Sequence, residues 1–231
     1  FALTSSAQVD ISMFNSGSFT ETVSTVNCTL ENGSSTLCYE LRFYANDAND
    51  DGPFCPQTIN DVGGLGIYEP GTNGTNVGLS ALNSTLFNII EADGFDIVQT
   101  NGDININNPG AGGTPPTPGT SYCLQANADD DLEVVFLIPV TPELLTSPNT
   151  IESVELLGVS LNGIPINGAP PAVIGGGPGP GGSDVLMPAL DACGGHHDPA
   201  GYYHWHLIAN STNSLLSDLG ISAVSCSGFP Q

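Results

Sequence analysis

Basic side chains are almost absent from this sequence. Among its 231 residues Arg42 is the single lysine or arginine, against 24 aspartates and glutamates, and the formal net charge is −23 at pH 7. Proteins that bind nucleic acids neutralise phosphates with Lys and Arg, and anionic membrane surfaces attract the same side chains. The composition therefore argues against nucleic acids and anionic membranes as partners.

Long hydrophobic runs are also missing. No apolar stretch approaches the roughly 20 residues that a membrane-spanning helix needs, so we expect no membrane span. Charged residues make up 11% of the chain, below the roughly 25% of ordinary soluble domains. Since counter-charges are so few, the carboxylates must be solvated, hydrogen-bonded or matched by metal cations.

The cysteines and the Asn-X-Ser/Thr sequons indicate an oxidising environment. Six cysteines, an even number, occur in a chain that starts at Phe1 rather than at Met, as expected after removal of a signal peptide. Paired cysteines beside many glycosylation sequons are typical of secreted proteins. We therefore expect a secreted, extracellular glycoprotein with glycans at Asn27, Asn32, Asn73, Asn83 and Asn210.

Helix signals are scarce, and the pattern predicts an all-β fold. Twenty-nine glycines and eighteen prolines separate short alternating or β-branched runs, which are typical of strands. Asn32-Gly33 is the turn of a predicted hairpin over residues 28–38. The other predicted strands are 8–14, 20–27, 95–100, 132–138 and 151–161, and the predicted short helices are 141–145 and 211–219.

We expect one disulfide-stapled, β-sandwich-like domain over residues 1–231, with long Gly/Pro-rich loops and few short helices. Its parts are an N-terminal β half (1–106), a linker-like Gly/Pro-rich loop (107–120) and a second half (121–231). Six cysteines allow fifteen connectivities. The preferred set has the local pairs Cys28–Cys38 and Cys193–Cys226, and Cys55–Cys123 then ties the halves together.

All four histidines lie within eleven residues, between His196 and His206. His204 and His206 are two apart, so on a strand their side chains project from one face. The Gly/Pro-containing loop before them lets His196 or His197 supply a third nitrogen, and Asp191 or Asp198 an oxygen. Imidazole ligands suit copper and zinc. Packing and hydrogen bonding without a metal is the alternative for these side chains.

The same stretch resembles a known family. Tyr203-His-Trp-His206 is similar to the Tyr-His-Tyr-His signature of the YHYH-domain family, with Trp205 in place of the second tyrosine. The segments 158–165, 190–196 and 198–201 are similar to other family motifs. The resemblance implies a secreted protein with working positions at Asp191, Cys193, His196, His204 and His206. Ser227 departs from the family pattern, which has Asp there.

A second acidic motif predicts a possible calcium site. The segment 47–52 reads Asp-Ala-Asn-Asp-Asp-Gly, which fits the first half of a calcium loop through Asp47, Asn49 and Asp51. Thr58 stands where an EF-hand would carry its bidentate Glu, so a non-EF site or a solvated acidic turn are the two alternatives.

Three functions are compatible with these features. The preferred one is a secreted surface or matrix protein that self-associates, for instance as a filament subunit, and whose histidine cluster binds copper or zinc structurally. The alternatives are a secreted metalloenzyme and a copper carrier that use the same three histidines. The departure at Ser227 and the lack of a recognisable general base favour a non-enzymatic role, so no catalytic residue is assigned.

Overall fold

The computed structural model describes residues 8–44, 54–68, 78–108, 117, 119–143, 147, 156–168, 186–191 and 193–206. Within these residues the regular secondary structure is mostly strand, with one α-helix and two short 3-10 turns, which confirms the all-β prediction. The elements are the 3-10 turns Ile11–Met13 and Ser16–Ser18, β1 (Ser24–Thr29), β2 (Ser35–Tyr44), β3 (Leu65–Tyr68), β4 (Gly78–Ala81), α1 (Ser84–Ala92), β5 (Ile106–Asn107), β6 (Tyr122–Leu124), β7 (Glu133–Pro139), β8 (Leu156–Val159), β9 (Pro165–Asn167), β10 (Leu186–Pro188), β11 (Gly195–His197) and β12 (Tyr203–Trp205).

The first sheet has the order β1-β2-β7 and is antiparallel throughout. Alternation along β2 and β7 places Leu41, Phe43 and Phe136 on one face, where they form an apolar cluster. The rings of Phe43 and Phe136 stack at 5.4 Å between centroids. Gly33, at φ +82°, closes the β1–β2 hairpin at the predicted turn, a conformation that favours glycine.

The largest core cluster lies around α1. Asn83 caps this helix by accepting hydrogen bonds from the backbone N–H groups of Thr85 and Leu86. Leu86, Phe87 and Ile90 then point inward at helical spacing and pack with residues of the β3–β4 and β10-β6-β5 sheets. A helix of only nine residues is unstable by itself, and burial of this one apolar face stabilises it.

The fourth sheet carries the histidines and has the order β11-β12-β9-β8. Its β11–β12 pair is antiparallel, and β12 pairs with β9 in parallel through Trp205 and Ile166. Tyr203, Trp205 and Ile164 are buried in a small apolar cluster, and the partly buried Ile166 packs against it. This cluster fixes the face of β12 opposite to His204.

Backbone pairings join the segments before and after the Gly/Pro-rich loop. β5 pairs with β6 on the other side of residues 107–120, and β2 pairs with β7. The disulfides Cys28–Cys38 and Cys55–Cys123 are two of the three preferred pairs, and the second joins the two predicted halves. A single domain over 1–231 stays a prediction that these links support.

Several local predictions were wrong. Residues 8–14 do not form a strand, because Asp10 accepts a hydrogen bond from the Ser12 backbone and starts a 3-10 turn. Within 95–100 only Val98 makes a β-bridge, to Ile104. Residues 141–143, the described part of the helix expected at 141–145, are not helical. Helix α1 was not predicted. Residues 144–145, 151–155 and 211–219 lie outside the described part.

Candidate metal centre

The β11–β12 hairpin places two histidines side by side. His196 on β11 is the direct cross-strand neighbour of His204 on β12, and paired residues of neighbouring strands share one face of the sheet. Asp198 shapes the connecting turn by accepting hydrogen bonds from the backbone N–H groups of Ala200 and Gly201. Gly201 completes it at φ +99°. The Asp-Pro-Ala-Gly sequence therefore sets the hairpin that joins the two rings.

His206 completes a group of three nitrogens. Its Nε2 atom lies 2.8 Å from Nε2 of His204 and 3.1 Å from Nε2 of His196. One donor atom from each of these histidines lies within 4.8 Å of the others. His196 and His204 are buried at 5% and 3% exposure, and His206 is partly buried. The structure thus brings together three of the four histidines.

The protonation of His206 is fixed by the backbone. Its Nδ1 atom lies 2.6 Å from the carbonyl oxygen of Gly168, directly after β9. A carbonyl oxygen only accepts hydrogen bonds, so Nδ1 carries the proton and Nε2 presents its lone pair to the other two rings. A ring whose outer nitrogen donates to a carbonyl is the usual arrangement for a histidine that binds metal through its other nitrogen.

The three-ring arrangement fits a bound cation better than it fits a hydrogen-bond network. His206 Nε2 has a single lone pair, yet two other ring nitrogens lie within hydrogen-bond distance of it. One lone pair cannot accept two good hydrogen bonds at once. Two nitrogens each ~2.1 Å from one ion lie ~3.0 Å apart at a right angle and ~3.4 Å apart at the tetrahedral angle. The observed separations of 2.8 and 3.1 Å need only a slight outward movement to match.

Burial keeps the metal-free cluster neutral. It lowers the pKa of His204 to about 3, with repulsion from His206 adding to the effect. Burial and the neighbouring imidazoles hold the pKa of His196 well below its ordinary value, and burial also lowers the pKa of His206. At neutral pH all three rings therefore have an unprotonated nitrogen, which is the form that binds metal.

Asp191, which was expected to supply an oxygen ligand, has another position. Its Oδ1 accepts hydrogen bonds from the backbone N–H groups of Cys193 and Gly195 at 2.8 and 3.0 Å. Its Oδ2 accepts a hydrogen bond from the Tyr203 hydroxyl at 2.5 Å. Because the carboxylate is occupied in this way, Asp191 is not among the converging donor atoms. It holds the strands that carry the histidines.

The remaining motif side chains lie beside the cluster. His197 is buried on the opposite face of β11, where its ring contacts Tyr203 at 5.5 Å between centroids. Asp198, the other candidate oxygen ligand, belongs to the hairpin turn. The Tyr203 hydroxyl passes over Gly195, where an added Cβ would lie 2.5 Å from it. Glycine is therefore required at residue 195 for the Tyr203–Asp191 hydrogen bond.

The other predicted sites are only partly within the described residues. Asp47, Asn49 and Asp51 of the possible calcium loop lie outside them, as do Asn73, Asn210 and Cys226. Asn27 and Asn32 are exposed on or beside the first hairpin, and Asn83 is partly exposed. Cys193 is disulfide-bonded, and Cys226 of the expected pair Cys193–Cys226 lies outside the described residues.

Two features had no place in the sequence interpretation. The Gly168 carbonyl has no side-chain signature, so no sequence pattern indicates its bond to His206. The cap of α1 does have a sequence signature, since Asn83 precedes apolar residues at helical spacing. This pattern predicts the start of a helix. Asn83 was interpreted only as a glycosylation site.

A known family matches the part of the chain that carries the histidines. The family model described as YHYH protein matches residues 135–226. The matched segment contains β8–β12 and the three clustered histidines, and the match confirms the resemblance to the YHYH family. No curated protein and no solved structure matches the chain.

Proposed function

We propose that this is a secreted extracellular protein whose His196, His204 and His206 bind one copper or zinc ion, and that the ion is structural. The convergence of the three Nε2 atoms, together with the Gly168 carbonyl that fixes His206, carries the proposal. When bound, the ion supplies a cross-link between strands and requires no proton transfer.

The location of the cluster supports a structural role. The three rings belong to β11, to β12 and to the residue that follows β12, while the hydrogen bond from His206 reaches the end of β9. Strands β9, β11 and β12 have only three residues each. An ion shared by these segments joins elements that have few backbone hydrogen bonds of their own.

The surroundings also support a structural ion over a catalytic one. The carboxylates nearest in sequence, Asp191 and Asp198, are both engaged by backbone N–H groups. Neither is placed to act as a general base at the ion. The partial exposure of His206 is the one observation that favours the second candidate, a copper carrier or a metalloenzyme, because both need a ligand within reach of solvent.

An extracellular location is supported by the cysteines and by the sequons. Two disulfides are formed, Cys193 is also disulfide-bonded, and no described cysteine is free. Disulfides of this kind persist in oxidising compartments. Asn27 and Asn32 are open to glycosylation at the surface. No helix in the described part of the chain is long and apolar enough to cross a membrane.

Self-association is part of the proposal. Exposed apolar side chains lie on two strands at the ends of their sheets, namely Leu137 on β7 and Leu157 on β8, which are 48% and 51% exposed. Because subunits of charge −23 repel one another, their association needs apolar contacts, glycans or cations such as calcium at 47–52.

Metal analysis of the natively secreted protein tests the metal proposal. We expect about one equivalent of copper or zinc per chain, and we expect His204→Gln to lose it. His197→Gln is the matched control, because His197 is an adjacent buried histidine outside the cluster. If the wild-type protein neither retains nor rebinds either metal, the proposal is wrong.

Electron microscopy and light scattering of the secreted protein test the assembly proposal separately. We expect oligomers or filaments whose population rises with protein concentration and falls after Leu137→Asp. Strictly monomeric particles at high concentration would remove self-association and leave the metal proposal intact.

A further inference from the structure

Asp191 contacts both strands that carry the buried histidines. Through Oδ1 it accepts a hydrogen bond from the backbone of Gly195, the residue before His196. Through Oδ2 it accepts one from the side chain of Tyr203, the residue before His204. One carboxylate thus holds the residue that precedes each of the two paired ligands.

We propose that Asp191 and Tyr203 form a positioning pair that sets the separation of His196 and His204 and thereby the metal affinity of the cluster. This inference rests on the proposed metal site. Asp191 and Tyr203 act by positioning the histidines and do not contact the ion themselves.

The short strands give the pair its importance. β11 and β12 are paired over three residues only, and β11 is entered through Gly194 at φ +77°. A ladder this short fixes the two strands through few hydrogen bonds. The buried Asp191 carboxylate adds three hydrogen bonds to this short ladder, two from backbone N–H groups and one from the Tyr203 hydroxyl, so it makes a large contribution to the position of β11.

Packing restricts the pair to one geometry. Tyr203 and Asp191 are buried at 0% and 1% exposure. The Tyr203 ring crosses β11 at Gly195, where an added Cβ would lie 2.5 Å from Oη and 2.6 Å from Cζ. Because the phenol lies directly on the Gly195 backbone, movement of the ring changes the distance between β11 and β12. The His196–His204 separation follows that distance.

Competition of Zn²⁺ between the protein and a fluorescent chelator measures the effect. Tyr203→Phe removes the hydroxyl and leaves the ring, and we expect the Zn²⁺ affinity to fall 10- to 100-fold with one site retained, as for other groups that orient metal-binding histidines. Tyr68→Phe is the matched control, because the buried Tyr68 hydroxyl also donates a hydrogen bond to an aspartate, Asp93, but lies in the core around α1. The Zn²⁺ affinity of this control variant should stay within about twofold of the wild-type value.

A second readout separates positioning from stability. The electron paramagnetic resonance spectrum of bound Cu²⁺ should change in Tyr203→Phe and remain unchanged in Tyr68→Phe, with circular dichroism used to check that both proteins are folded. Asp191→Asn retains oxygen and N–H groups that can bond Gly195 and the Tyr203 hydroxyl. We therefore expect it to lose less affinity than Asp191→Ala does.

The outcomes distinguish this inference from the proposed function. If the wild-type protein binds no Zn²⁺ or Cu²⁺, the metal site itself is wrong. If the wild type binds and Tyr203→Phe binds equally well with the same spectrum, the positioning role is wrong and the metal site stands. Should Tyr203→Phe fail to fold, equal affinities of Asp191→Asn, Asp191→Ala and wild type overturn the inference.

Discussion

Acid should destabilise the metal-free protein through the buried histidines. In the folded state the pKa of His204 is lowered to about 3 by burial and by His206, whereas an unfolded histidine titrates near pH 6.5. Below pH 6.5 the unfolded chain therefore binds a proton that the folded chain does not bind. Stability is fully retained above the unfolded pKa and is lost progressively as the pH falls toward the folded one.

The size of the effect follows from the pKa difference. A pH of 5 is about 1.5 units below the pKa of an unfolded histidine, and each unit corresponds to about 1.4 kcal/mol of unfolding free energy. His204 alone should therefore lower the free energy of unfolding by about 2 kcal/mol relative to pH 7.5. His196 and His206 act in the same direction, because burial lowers their pKa values too.

Urea unfolding of chelator-treated protein at pH 7.5 and pH 5.0 measures this loss. His204→Gln is the control, since glutamine does not titrate and the variant retains every carboxylate of the chain. The loss between the two pH values should be about 2 kcal/mol larger for the wild type than for His204→Gln. Equal losses in the two proteins would refute the argument that His204 is buried in its neutral form.

Three further predictions concern the framework around the site. Gly195→Ala places a methyl group 2.5 Å from the Tyr203 hydroxyl, and urea unfolding should show a loss of about 1–3 kcal/mol; an unchanged midpoint contradicts the packing described here. Asn83→Ala removes the cap of α1 and should cost about 1 kcal/mol, whereas Asn83→Asp keeps the cap and loses only the sequon; equal thermal unfolding temperatures would exclude the cap. Replacing Cys55 and Cys123 by alanine opens a link between residues 68 apart and should cost about 4 kcal/mol in unfolding experiments; a loss below about 1 kcal/mol disagrees with this role.

The histidine cluster could be predicted because its cause is local. The residues His196, His204 and His206 are close in sequence, and a hairpin turn is encoded between them by Asp198 and Gly201. A turn with these residue types specifies an antiparallel pair. Strand alternation then places His204 and His196 on one face without reference to the rest of the fold.

The parts that could not be predicted depend on distant segments. The Gly168 carbonyl is 38 residues from His206 in sequence, and backbone atoms leave no trace in residue type. Asp191 was expected as a ligand because a carboxylate beside histidines often binds metal. Its real partners are backbone N–H groups and the Tyr203 hydroxyl, which only the turn into β11 brings within reach.

The strand errors have a similar physical origin. The alternating residues 8–14 contain Asp10, whose side chain bonds to the backbone two residues later. Such a local bond competes with strand pairing. Alternation alone therefore indicated a strand where a 3-10 turn forms.

X-ray absorption spectroscopy of the natively secreted protein, at the edge of its bound metal, tests the central claim most directly. We expect one copper or zinc ion with three imidazole nitrogens about 2.0–2.1 Å away, and we expect the imidazole signal to disappear in His204→Gln. A spectrum with oxygen ligands alone, or one unchanged by His204→Gln, would contradict a metal centre at His196, His204 and His206.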